Sequence, residues 1–317
     1  MDSKKCFSDL WQLIGNTPMV ELHYRYKGKP SKIYAKEEYY NYSGSIKDRM
    51  ALYILQKAYQ TGQIKPTDTI VEATSGNTGI SFAAVGRALG HKVKIIMPEW
   101  LSKERKDILR SLGAELVLVS KGDGGFLGGM HICEELAKQD GIFLPCQFEN
   151  ENNTNEHAHT TAKEIELQLA SVGLKPDGVV SGVGTGGTIS GLVNSSANHQ
   201  KVIGFPALKG EFLTDVIKQY TTKTNWELIH DYNFGGYAKV NDELVDFLND
   251  FNSQTKILLD PIYVGKMIFA IFALSKQGYF PPNTRILAIH TGGLQGIKGF
   301  NNERIKKHKS ILNYDEK

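Results

Sequence analysis

Residues 179–193 read Val179-Val180-Ser181-Gly182-Val183-Gly184-Thr185-Gly186-Gly187-Thr188-Ile189-Ser190-Gly191-Leu192-Val193, and this stretch decides the fold class. A short β-branched run passes through clustered glycines straight into an apolar helical pattern, which is how a strand of a parallel sheet hands over to its crossover helix. The alternation recurs along the chain. Strands are expected at Lys32–Lys36, Thr69–Glu72, Lys92–Met97, Glu115–Val119, Gly178–Ser181, Lys201–Phe205 and Arg285–Ile289. Helical periodicity fills the gaps at about 45–60, 77–88, 102–112, 128–138, 156–171, 186–194, 241–251 and 264–276. The predicted class is α/β, with parallel sheets covered by helices. In such sheets ligands bind at the carboxyl ends of the strands, on the loops that open the next helix. The 32 glycines are about a tenth of the chain, against about 7% ordinarily. They cluster at 76–79, 122–129, 182–191, 235–236 and 292–296. All of these lie near such strand ends except 122–129, expected to be a mobile loop, and 235–236.

Composition narrows the function classes. The chain has 317 residues, with 37 Lys and Arg against 34 Asp and Glu and a net charge of +3. That balance leaves no electrostatic footprint for nucleic acid or an anionic membrane. No apolar run approaches the roughly 20 residues that span a bilayer. The polar start, Met1 to Cys6, does not read as a secretory signal. Cys6, Cys133 and Cys146 show no metal-ligand spacing and are odd in number, so a reduced, cytoplasmic protein without a metal site is expected. The charged tail from Asn301 to Lys317 reads as a solvated helix or frayed end.

Three loops carry candidate chemistry. Gly184, Thr185, Gly186, Gly187 and Thr188 offer backbone N–H groups and hydroxyls at a helix N-terminus, which suits an anion. No Lys follows the glycines and no acidic ribose reader follows them, so a phosphate monoester fits better than a nucleotide; a plain strand–helix turn is the alternative. Ser43-Gly44-Ser45-Ile46-Lys47-Asp48-Arg49 places a lysine on the first turn of a helix. Lysine forms Schiff bases when burial and neighbours free its amine. Taken alone, a solvated Lys-Asp-Arg triplet on a surface helix is the plainer reading. Glu72-Ala73-Thr74-Ser75-Gly76-Asn77-Thr78-Gly79 again joins a strand to a helix, with hydroxyls and N–H groups that suit a carboxylate. Ser and Thr also favour such a position as simple caps.

Together, a lysine, a carboxylate loop and a phosphate loop are the parts of a pyridoxal-phosphate site. The chain resembles the fold type II pyridoxal-phosphate enzymes over essentially its whole length. Residues 8 to about 185 are similar to cysteine synthase and cystathionine β-synthase. The stretches that carry this are Leu13-Ile14-Gly15-Asn16-Thr17-Pro18, Gly44–Arg49, Glu72–Gly79 and Gln147-Phe148-Glu149-Asn150. The resemblance implies that Lys47 carries the cofactor covalently and that Asn77, within the substrate loop, contacts the ring's 3′-oxygen. It implies that Thr74, Ser75, Thr78 and Gln147 bind the substrate carboxylate, and that Gly184 through Thr188 hold the cofactor phosphate. It further implies two α/β domains with the cofactor between them: a smaller one of residues 40–150, and a larger one of 1–39 with 151–317. The family's habit is a homodimer.

The second half resembles a sister branch, aminocyclopropane-carboxylate deaminase and D-cysteine desulfhydrase. Residues 201–210, Phe234-Gly235-Gly236-Tyr237, Leu259-Asp260-Pro261-Ile262-Tyr263 and His290-Thr291-Gly292-Gly293 carry that likeness. The chain thus reads as a hybrid joined near the shared Gly-Thr-Gly-Gly-Thr loop. The branch uses two tyrosines, matched by Tyr237 and Tyr263, as an acid or nucleophile near the substrate; the alternative is that both fill an aromatic core beside Phe234 and Phe269. By the same resemblance Thr291 meets the ring nitrogen. Val264 stands where the deaminases carry Glu, which disfavours ring opening and favours β-elimination. The expected reaction is β-elimination or β-replacement on a small L-amino acid of the O-acetylserine, serine or cysteine type. The alternatives are the sister branch's chemistry and a cofactor-binding hybrid with little catalysis. His157 and His159 suggest no metal site, His290 reads as a satisfied core residue, and neither Cys133 nor Cys146 has the His partner of a nucleophile.

Overall fold

The computed structural model describes residues 3–314. In chain order it runs α1 (Ser3–Leu13), β1 (Met19–Tyr26), β2 (Lys29–Glu37), α2 (Lys47–Thr61), β3 (Thr69–Ala73), α3 (Asn77–Ala88), β4 (Lys92–Pro98), α4 (Lys103–Ser111) and β5 (Glu115–Val119). It continues with α5 (Gly125–Ala137), β6 (Ile142–Phe143), α6 (Asn152–Glu156), a π-helical turn (His157–Thr161), α7 (Ala162–Ser171), β7 (Gly178–Val183), α8 (Gly187–Ser195) and β8 (Lys201–Pro206). The last elements are α9 (Phe212–Tyr220), β9 (Trp226–Leu228), α10 (Asp242–Thr255), α11 (Val264–Gln277), β10 (Ile286–His290) and α12 (Ile297–Ile305).

The chain forms two compact units, one of residues 3–16 with Asn41–Glu156 and one of Thr17–Tyr40 with 157–314. In the first unit a four-stranded sheet has the order β5-β4-β3-β6, and its pairings are parallel. Ile70, Val93, Ile95 and Met97 form one core with Met50 and Leu55 of α2 and Phe82 and Val85 of α3. The division differs from the expected boundaries at the N-terminus. Phe7 and Leu10 of α1 and Ile14 just after it are buried in that same core, and Trp11 Nε1 donates to Gln56 Oε1 of α2 at 2.9 Å. Burying three such side chains contributes about 1.5–3 kcal/mol each, which ties α1 to this unit rather than to the other.

In the second unit the order is β1-β2-β10-β7-β8-β9, parallel throughout except for the β1–β2 hairpin. Lys27 and Gly28 make its two-residue turn with φ of 47° and 85°, the left-handed pair that matches strand twist. β1 was not among the expected strands, although Leu22, Tyr24 and Tyr26 are buried in alternation with exposed Glu21, His23 and Arg25. The core holds Tyr24, Phe247, Phe251, Phe269 and Phe272; the Phe247 and Phe269 rings meet edge to face at 5.2 Å, a favoured aromatic geometry.

Elsewhere the elements fall near their expected places, with β6, β9, α1, α6 and α9 added; α12 runs into the tail expected to be solvated or frayed, where Arg304 and Leu312 are instead buried. Glycines 122–129 are a correction: the segment follows the end of β5, and from Gly125 onward it is the first turns of α5. Gly128 is needed there, since a Cβ would run into the Asp123 carbonyl oxygen, and Gly129 brings α5 close to Ile96 of the sheet. No helix among the described residues is long and apolar enough to cross a membrane.

Candidate functional site

Lys47 is the first residue of α2. The solvated-triplet reading does not survive: Asp48 is 0% and Arg49 1% exposed. Asp48 accepts from the backbone N–H of Ser43 at 2.5 Å and from its hydroxyl, which closes the turn that presents Lys47. The lysine itself is partly exposed. The one side-chain hydrogen-bond contact of its Nζ among the described residues is Met50 Sδ at 3.9 Å. Burial pushes the amine's pKa down to about 8, against the opposing pull of the Glu156 and Glu72 carboxylates. A lysine with no tight ion pair and a depressed pKa is a usable nucleophile near neutrality.

The second loop leaves β3 and opens α3. Thr74 is buried, its N–H donating to the Ile96 carbonyl at 3.0 Å and its Oγ1 accepting from the Gly76 N–H at 3.1 Å. Arg105 donates to the Ser75 carbonyl, so α4 also fastens this loop. Gly79 permits the close approach: a Cβ there would meet Thr74 Cγ2 at 2.6 Å. Gly76 supplies no side-chain cap to α3, and Asn77 is the helix's first residue. Thr78 Oγ1 donates to Gln147 Oε1 at 2.6 Å, both residues being buried. The first unit thus brings Thr78 and Gln147 together from positions 69 residues apart.

The third loop leaves β7 in the second unit. Gly186 adopts φ 90° and has no side chain to cap α8; the Gly187 N–H donates at 3.4 Å to the Thr185 hydroxyl, so hydroxyl and N–H groups gather at this helix N-terminus, as an anion site requires. Thr188 Oγ1 lies 3.1 Å from His157 Nε2, while His157 Nδ1 lies 3.1 Å from Thr161 Oγ1. His157 is wholly buried, so the π-helical turn braces this loop. β10 pairs with β7, Ile289 opposite Ser181, and Thr291-Gly292-Gly293 therefore leaves the sheet beside Gly184.

Tyr263 packs over the same strand end. A Cβ on Gly184 would lie 3.2 Å from the Tyr263 ring and hydroxyl, and one on Gly182 3.2 Å from its Cβ. The Tyr237 ring stands edge-on to it with centroids 6.1 Å apart. Both tyrosines are partly exposed, whereas Phe234 joins the apolar core against Phe269. Two buried charges hold this pair. Asp260 accepts the N–H groups of Ile262, Tyr263 and Val264 at 2.8, 2.9 and 2.9 Å, capping α11. Lys266 Nζ donates to the carbonyls of Asn233 and Gly236 at 2.8 and 2.9 Å, fixing the loop that bears Tyr237.

His290 is a satisfied core residue: Nε2 lies 2.6 Å from the Leu258 carbonyl and Nδ1 accepts the Gly292 N–H at 3.3 Å. Burial holds its pKa at about 4, so it is neutral. The Cys133 and Cys146 thiols are pushed up to about 12 and about 11, chiefly by burial. Glu72, His157, Asp260 and Lys266 had no assigned role in the sequence reading. The one available signal was a carboxylate, Glu72, inside the apolar run of β3.

Each unit by itself carries a feature that suits pyridoxal phosphate: the first an amine without a tight partner among the described residues, for its carbonyl carbon, and the second a glycine-rich helix N-terminus on which the Tyr263 ring closes at Gly184, for its phosphate. Comparison with known proteins agrees. The family model described as pyridoxal-phosphate dependent enzyme matches residues 10–292. Cysteine synthase of Staphylococcus aureus is 44% identical over 190 residues, 60% of this chain and 60% of that protein; the chain spans about 60% of the length of the curated relatives it matches. A hydrogen sulfide-producing enzyme from Fusobacterium nucleatum superposes with a TM-score of 0.77 at 34% identity, covering 97% of this chain and 94% of that one. The O-acetylserine dependent cystathionine beta-synthase from Helicobacter pylori gives 0.70 at 27% identity over 91% and 96%.

Proposed function

Because the chain belongs to the family of pyridoxal-phosphate dependent enzymes, we propose that it catalyses β-elimination or β-replacement on a small L-amino acid of the O-acetylserine, serine or cysteine type. The observation that carries this is the first unit's carboxylate loop, Thr74 to Thr78 with Gln147 at 2.6 Å from Thr78, in the same unit as the depressed-pKa amine of Lys47. The likeness to cysteine synthase and to a hydrogen sulfide-producing enzyme supports the same chemistry.

Bound pyridoxal phosphate supplies an electron sink for negative charge at the substrate's Cα. The residues supply the rest. Lys47 would hold the cofactor covalently, and its amine, when free and neutral, would take the proton from the substrate's Cα. Thr74, Ser75, Thr78 and Gln147 would bind the carboxylate, the Thr78 hydroxyl being already donated to Gln147 Oε1 and so setting that amide's orientation, and Asn77 would meet the ring's 3′-oxygen. Gly184, Thr185, Gly186, Gly187 and Thr188 bind the phosphate. Thr291 offers the ring nitrogen a hydroxyl rather than a carboxylate, which suits departure of a good β-leaving group. Tyr263 and Tyr237 act as acid or nucleophile toward the substrate's side chain. We place the enzyme in the cytoplasm as a homodimer, to be checked by light scattering.

A second reading, D-cysteine desulfhydrase or aminocyclopropane-carboxylate deaminase chemistry in a hybrid chain, draws on the tyrosine pair at 6.1 Å. Titration of the purified holoprotein with O-acetyl-L-serine and with D-cysteine, followed by visible absorbance, separates them. A spectral change and product release with the L-ester alone are expected. Turnover of D-cysteine without an L-response would replace the first reading by the second, and silence toward both would leave a cofactor-binding protein with little catalysis.

A further inference from the structure

We infer that Glu72 is a positioning residue for the substrate carboxylate: it holds the backbone of Gln147 and, through it, the amide that receives the carboxylate. This rests on the proposed role of Gln147 above. Gln147 is fastened on three sides. Its N–H donates to Glu72 Oε2 at 3.4 Å, its carbonyl accepts from Asn153 Nδ2 at 2.9 Å, and its side-chain oxygen accepts from Thr78 at 2.6 Å. Among the described residues that leaves the side-chain N–H groups of Gln147 as its uncommitted donors, which is what an incoming carboxylate requires.

The anchor is needed because the turn before Gln147 is strained. Cys146 adopts φ 55°, a left-handed conformation costing roughly 1–2 kcal/mol in a residue with a Cβ. The Glu72 carboxyl accepts the N–H that follows Cys146, and the Gln147 and Cys146 N–H groups both pull its pKa downward against burial. Glu72 stands in β3 at 3% exposure, between Val71 and Ala73, where an apolar side chain would serve the sheet better. Burial raises its pKa to about 8, so a neutral acceptor of the same shape is tolerated there.

The test compares Glu72→Leu, Glu72→Gln and Asn153→Ala in the holoprotein. L-Alanine, which has no leaving group, is titrated by cofactor absorbance, and amide hydrogen exchange is followed at residues 146–147. Losing the acceptor should weaken L-alanine about tenfold in Glu72→Leu, raise KM for the amino-acid substrate alike, and speed exchange at both amides. Glu72→Gln, whose amide oxygen accepts the same N–H, should recover affinity to within about twofold. Asn153→Ala, which frees the other side of Gln147, should show the same rise in KM, and it carries the test if Glu72→Leu does not fold. Unchanged L-alanine affinity in Glu72→Leu, a Glu72→Gln as weak as Glu72→Leu, or unaltered exchange would overturn the inference. A wild-type protein that binds L-alanine but eliminates nothing from any L-substrate would sink the proposed reaction while leaving the role of Glu72 standing.

Discussion

At the residue scale the informative group is Lys47. An exposed lysine stays charged to its ordinary pKa of 10.5, whereas this amine is pushed down to about 8 because the surrounding protein disfavours its charge. Only the neutral amine attacks a carbonyl, so its availability increases with pH up to the folded pKa and then levels off. The rate of pyridoxal phosphate uptake by the apoprotein should therefore rise about tenfold per pH unit below pH 8 and flatten above it. Stopped-flow absorbance checks this; a rise continuing to pH 10 would show an ordinary lysine. The position of Lys47 was legible from Ser43 to Arg49, since small residues before a helical lysine are a local pattern. Its protonation was not, because that is set by burial in the packed chain, opposed by Glu156 and Glu72, which lie far away along the sequence.

At the element scale the decisive piece is the N-terminus of α8. The glycines of this loop were legible because their requirement is local: φ of 90° at Gly186 excludes most side chains. What braces the loop was not legible. His157 is 31 residues away, and the Tyr263 ring over Gly184 comes from the start of α11. Gly186→Ala would force a Cβ into the left-handed region and within 3.2 Å of Val216 Cγ1. A cost of about 1–2 kcal/mol should then weaken cofactor binding by about tenfold. Fluorescence titration of the apoprotein measures this, and an unchanged affinity would remove the loop from the phosphate site. The same contrast explains the expected mobile loop at 122–129. Its glycines suggested freedom, yet they serve close packing of α5 on the sheet.

At the scale of the whole molecule, each unit has its own sheet and its own apolar core, and each carries some of the proposed site residues in its loops. A ligand that binds only the folded chain stabilises it by mass action. Pyridoxal phosphate at about 100 times its dissociation constant should add about 2.7 kcal/mol and raise the thermal midpoint with concentration. Calorimetry of apoprotein and holoprotein tests this, and a midpoint indifferent to the cofactor would contradict the fit of these residues to it.

What the amino-acid sequence determined by itself was the alternation of strands and helices, the parallel class of the sheets, and the three donor loops. Each follows from periodicity or from backbone freedom within a dozen residues. Only the tertiary structure decided that α1 belongs to the first unit, that Glu72 reaches the backbone of Gln147 across 75 residues of chain, and that Lys266 and Asp260 fix the two tyrosines. Those outcomes depend on which polar groups are carried out of water together. Burial and its hydrogen-bond partners are properties of the packed chain, not of neighbours along it.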